Sequence, residues 1–115
     1  MVRFKAEVRF RFLTAQLADV LEAAARWSCV TTIDVEVNSI NDSHAAHAPA
    51  SLHTFDLAVD LDTVGDRTAD LKSLFVFLAR VLPPQFDVVF EGDHVHVEYD
   101  TRRGEIIRKA LSSRG

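Results

Sequence analysis

Apolar residues fall at every second position in four stretches of this chain and at every third or fourth position in three others. That switch of period restricts the possible folds more than any other feature. Phe4, Ala6, Val8, Phe10 and Phe12 alternate with Arg3, Lys5, Glu7, Arg9 and Arg11. Successive side chains of a strand point to opposite faces, so this pattern predicts a strand with one buried face. Thr31, Ile33, Val35 and Val37 alternate with Thr32, Asp34, Glu36 and Asn38 and predict a second. Phe55 to Asp62 sets Leu57, Val59 and Leu61 against Asp56, Ala58, Asp60 and Asp62; His94 to Asp100 sets His94, His96, Glu98 and Asp100 against Val95, Val97 and Tyr99. Phe86 to Phe90 forms a further strand, joined to the last one at Gly92.

Between these runs the spacing is helical. Thr14 is placed to cap a helix whose buried stripe is Leu13, Leu17, Val20, Leu21, Ala24 and Trp27, ending near Ser28. A second helix starts at Asp66 or Thr68, carries Leu71, Leu74, Phe75, Leu78 and Leu82, and cannot pass Pro83-Pro84. Ile106, Ile107, Ala110 and Leu111 predict a short final helix. The element order predicts an α+β fold: a mainly antiparallel sheet of four to five strands, with two to three helices on its apolar face.

With 115 residues the chain is expected to form one domain, 1–115, around a single core. Hydrophobic residues make up 48% and charged residues 26%, the balance of a globular rather than a disordered protein. No apolar run approaches the roughly 20 residues of a membrane span, and Met1-Val2-Arg3-Phe4-Lys5 does not open a signal peptide. A protein made in the cytoplasm, without membrane insertion, is expected. The lone Cys29 excludes an internal disulfide and is expected to be a small buried residue.

The net charge of −4 is unevenly spread: Arg102, Arg103, Arg108, Lys109 and Arg114 against Glu105 give the tail +4 and leave the body −8. The tail offers weak attraction to an anionic partner or is simply a solvated helix. Nucleic acid is not an expected partner, because the body is acidic and lacks a basic patch interleaved with aromatics.

All five histidines lie in two segments, His44, His47 and His53 in one and His94 and His96 in the other. The first three sit in or beside a long polar loop from Asn41 to about Leu52, and loops of that length are often functional. If the third and fifth strands share a sheet, Asp60 and His96 meet on its open face. His53, Asp60 and His96 would then offer zinc two imidazoles and a carboxylate, leaving a fourth position for water. The competing reading is that Asp60, His94 and His96 decorate a solvated sheet face, with the other histidines part of a polar loop.

The stretch Ser51-Leu52-His53-Thr54-Phe55-Asp56-Leu57-Ala58-Val59-Asp60 resembles the Ser-x-His-x-x-Gly-x-Ala-x-Asp signature of the zinc D-Ala-D-Ala carboxypeptidases and L-Ala-D-Glu peptidases. Asp93-His94-Val95-His96-Val97-Glu98 resembles their second signature, and the similarity runs from about Val30 to Asp100. It looks closest to small phage endolysin-like members of a superfamily that includes lysostaphin-type peptidases and the hedgehog domain. Asp56 departs from the family, which usually has glycine there.

The resemblance implies a zinc-dependent peptidase with a hedgehog/DD-peptidase-like fold, cutting a D-amino-acid-containing bond of bacterial peptidoglycan. Zn2+ would be held by His53, Asp60 and His96, with Asp93 as general base and His94 near the reacting water. A second register, with Glu91 as base and His94 as ligand, stays open. Such an enzyme reaches the cell wall only if released or carried on a virion. The alternative is a non-catalytic zinc-binding structural or virion protein of the same fold.

Overall fold

The computed structural model describes residues 1–6, 8, 14–41, 57–65 and 67–99. Its first helix, α1 (Ala15–Thr31), begins where the capping signal places it. Thr14 keeps an extended backbone, and its hydroxyl oxygen accepts the Leu17 N–H at 3.1 Å, supplying one of the partners that a helix N-terminus lacks. Leu17, Val20, Ala24 and Trp27 are buried as predicted.

The helix runs past Ser28 to Thr31 and stops at Thr32, whose φ of 63° is left-handed and whose N–H bonds to the Ser28 carbonyl. Thr31 and Ile33 therefore belong to the helix end and its exit, not to a strand. Alternation over so few residues fits either period, and neither Gly nor Pro stops the helix earlier. Cys29 is exposed, contrary to expectation, because it lies off the stripe that buries Trp27 and Ser28.

Among the described residues five strands form one sheet: β1 (Val2–Phe4), β2 (Val35–Asn41), β3 (Leu57–Thr63), β4 (Phe86–Phe90) and β5 (Val95–Tyr99). The second helix, α2 (Thr68–Val81), joins β3 to β4 and ends before Pro83-Pro84. The spatial order is β1-β2-β3-β5-β4. β1 runs parallel to β2, whereas β2–β3, β3–β5 and β4–β5 are antiparallel.

The sheet is thus mixed rather than mainly antiparallel, and connectivity supplies the reason. A strand reached through a helical crossover re-enters in the same direction as the one before it. α1 makes such a crossover between neighbours β1 and β2; α2 makes one between β3 and β4, and β5 folds back into the space between them.

β1 is also shorter than the alternation through Phe12 predicts. A Val8 N–H to Lys5 carbonyl bond of 2.9 Å turns the chain just after Phe4. Among the described residues β1 pairs with β2, whose register shifts between Val37 and Ser39, next to the last β1 contact, Lys5 N–H to the Val37 carbonyl at 3.0 Å. The rest of the expected first strand, 7 and 9–12, lies outside the described residues, as does the expected final helix.

Both helices cover one face of the sheet. Val35, Val37, Leu57, Val59, Leu61, Val95 and Val97 join Leu17, Val20, Leu71, Leu74 and Leu78 in one core. Each such side chain, fully buried, contributes about 1.5–3 kcal/mol. The helices are also tied to each other: the indole N–H of Trp27 donates to Ser73 Oγ at 3.1 Å. Among the described residues no helix is long and apolar enough to cross a membrane.

Candidate functional site

The sheet face opposite α1 and α2 carries the polar half of each alternation. Asp60 of β3 stands directly opposite His96 of β5, the juxtaposition expected if the two strands shared a sheet. Asp60 Oδ1 lies 2.6 Å from His96 Nδ1, and Glu98 Oε1 lies 2.8 Å from His96 Nε2. Carboxylates accept and do not donate, so both contacts are satisfied at once when each ring nitrogen of His96 carries a proton, which favours the imidazolium form.

The electrostatics agree. Partial burial works against charge on His96, but the bonds to Asp60 and Glu98 outweigh it and raise its pKa above the usual 6.5. Burial likewise opposes charge on Asp60; bonds from His96 and Ser39 outweigh it and hold its carboxyl below 3.8.

β2 contributes Ser39, whose hydroxyl donates to Asp60 Oδ2 at 2.8 Å. Sequence reasoning did not single out this residue. Its signal is the spacing of apolar residues in β2: Val35 and Val37 are two apart, but Ile40, which also packs on the core, follows Val37 by three. An extra residue is therefore needed between them, and the pairing shows it: Val37 faces Leu61, while Ser39 faces Asp60.

His94 stands just before β5, in the turn that joins it to β4. Glu91 N–H bonds to the His94 carbonyl at 2.9 Å, and Gly92 supplies the positive φ of 97° that the turn requires. The His94 ring bridges two carboxylates unequally, with Nδ1 2.6 Å from Asp93 Oδ1 and Nε2 3.7 Å from Asp60 Oδ1. Asp93 itself is 90% exposed, so it reaches the Asp60–His96 pair only through His94. The Glu91 side chain is exposed. Beside His94 opens a cleft of about 410 Å³, bordered by Asn38, Asp62, Arg67, Thr68 and Asp93.

The structure therefore brings Asp60, His94 and His96 together, with Asp93 behind His94. His53, the remaining residue of the expected metal shell, lies outside the described residues, as do His44, His47, Ser51 and Asp56. Among the described residues, no group of three or more His, Cys, Asp or Glu side chains is arranged to hold a metal ion.

The available donors nevertheless suit zinc in kind. Asp60 supplies a carboxylate oxygen and His96 an imidazole nitrogen, with Glu98 holding the far nitrogen as carboxylates do behind metal-ligating histidines. Two atoms bound to one zinc at about 2.1 Å stand roughly 3.4 Å apart in tetrahedral geometry. The 2.6 Å separation of Asp60 and His96 is instead that of a hydrogen bond whose proton occupies the place a cation would take. Comparison of the chain with protein-family models, curated proteins and solved structures finds no match.

Proposed function

We propose that this protein is a zinc-dependent peptidase acting on a D-amino-acid-containing peptide bond of bacterial peptidoglycan. The observation that carries the reading is the Asp60–His96 pair, backed by Glu98, on the sheet face opposite α1 and α2. The two sequence signatures supply the substrate class, by resemblance alone. His53, Asp60 and His96 would hold the metal, which when bound supplies Lewis acidity toward a carbonyl and makes water more acidic.

The remaining steps belong to side chains. Asp93 fixes the His94 ring through Nδ1, which aims Nε2 at the Asp60 carboxylate. In the first register Asp93 would take a proton from water and pass it to the leaving amine, while His94 would donate to a developing oxyanion. Glu91 is the base in the second register, where His94 is the ligand; the closer approach of His96 to Asp60 favours the first. The cleft beside His94 is where a peptide would lie.

A second reading, a zinc-binding structural or virion protein without catalysis, is favoured by one observation: Asp93 is highly exposed and bonded to His94 rather than aimed at Asp60. Two measurements separate the readings. Protein purified without chelator is expected to hold about one zinc per chain and to release peptide from peptidoglycan. Metal without release, unaffected by Asp93→Asn and Glu91→Gln, supports the structural reading; absence of bound metal defeats both.

A further inference from the structure

We propose that Ser39 is a positioning residue of this site, fixing the Asp60 carboxylate so that Oδ1 rather than Oδ2 is presented to His96 and to a cation there. The inference rests on the metal-site reading above and deepens it.

The backbone places Ser39 for this. Were β2 regular, the residue after Val37 would oppose Asp60, and Ser39 would turn toward the helices. The register shift between Val37 and Ser39 makes Asn38 the extra residue and sets Ser39 opposite Asp60, while Ile40 pairs with Val59 and returns to the core side. Bulges of this kind re-aim side chains beside functional sites.

The two oxygens of Asp60 then have different partners. Oδ2 accepts from Ser39 at 2.8 Å; Oδ1 accepts from His96 at 2.6 Å and is the oxygen that His94 approaches. A carboxylate rotates easily about its last torsion, which is broad and roughly two-fold, so one hydrogen bond does not distinguish its oxygens. A second partner on Oδ2 does. Ser39 touches no other member of the cluster through the bonds described, so it acts through Asp60 alone. It is solvent-exposed, and its removal leaves no core cavity.

The test uses the full chain with Co2+ as a spectroscopic probe, comparing wild type, Ser39→Ala and Ser39→Thr. Ser39→Ala is expected to weaken Co2+ binding about tenfold, the lower end for partners that orient ligands, and to change the visible absorption band. Ser39→Thr, which keeps the hydroxyl, is expected to restore both. Unchanged affinity and spectrum in Ser39→Ala, or no recovery in Ser39→Thr, overturns the role.

If wild type binds no Co2+, the metal reading falls, and Ser39 is judged on the metal-free protein by the ring 15N shifts of His96. Shifts that move in Ser39→Ala and return in Ser39→Thr support positioning of Asp60. Shifts that stay put in Ser39→Ala, or fail to return in Ser39→Thr, overturn it.

Discussion

Glu98 Oε1 accepts the Nε2–H of His96 at 2.8 Å, from two residues along the same strand, while Asp60 holds the opposite nitrogen from the neighbouring strand. One partner is local in sequence and the other is not, and they have separable effects on the same ring.

Glu98→Gln removes the local negative charge but keeps an oxygen that accepts a hydrogen bond. The His96 pKa is expected to fall, because burial still opposes the charge and only Asp60 is left to offset it. An NMR titration of the ring in both proteins measures the change. A His96 pKa unmoved by Glu98→Gln counts against the second bond.

The Asp60–His96 pair gives a pH window for stability. His96 has a raised pKa, so its contribution is complete below 6.5 and is lost as pH rises through the raised value. Asp60 has a lowered pKa, so its contribution is present above 3.8 and is lost as pH falls through the lowered value. A double-mutant cycle of Asp60→Asn and His96→Gln, followed by urea unfolding, should show coupling of about 1 kcal/mol for this partly exposed pair between those limits. It should fade on either side; coupling that is flat from acid to alkaline pH would contradict the ion pair.

Metal binding at His96 must displace the proton that now lies between Nδ1 and Asp60. Below the raised His96 pKa, zinc binding is expected to release about one proton and to weaken about tenfold per pH unit. Calorimetry in buffers of different ionisation enthalpy counts that proton. His96→Ala should abolish zinc binding, while His94→Ala should keep most of it; the reverse pattern would assign Glu91 and His94 as base and ligand.

Thr32 closes α1 in a left-handed conformation, with φ of 63°, which costs a β-branched residue roughly 1–2 kcal/mol. Thr32→Gly removes that strain, partly offset by the greater freedom of glycine when unfolded. The expected gain is about 1 kcal/mol, or roughly 4 °C in the thermal midpoint. A lowered midpoint would show that the threonine side chain stabilises the cap more than the conformation costs.

Much of the local structure was legible in the chain. The Thr14 cap, the α2 stop at Pro83-Pro84, the strand from Phe86 to Phe90 and the buried stripe Leu71, Leu74 and Leu78 depend on neighbours within a few residues, so the sequence displays their cause directly. The ends of α1 and β1 were less legible. Where helix gives way to strand depends on which partner is present to take the backbone hydrogen bonds, and that partner is distant in sequence.

For the site, alternation alone sorted Asp60, His96 and Glu98 onto the polar face, because a strand's period of two follows from backbone geometry. The sequence offered the Asp60–His96 meeting only on the condition that the third and fifth strands share a sheet; it did not say that β5 lies between β3 and β4, or that a bulge turns Ser39 toward them. Strand order and register minimise the free energy of the whole sheet under its helices, and a one-residue slip would send every side chain to the other face. The chain by itself determined which residues are polar-facing and chemically able; only the tertiary structure decided which of them meet, because that choice is made by pairing partners far apart in sequence.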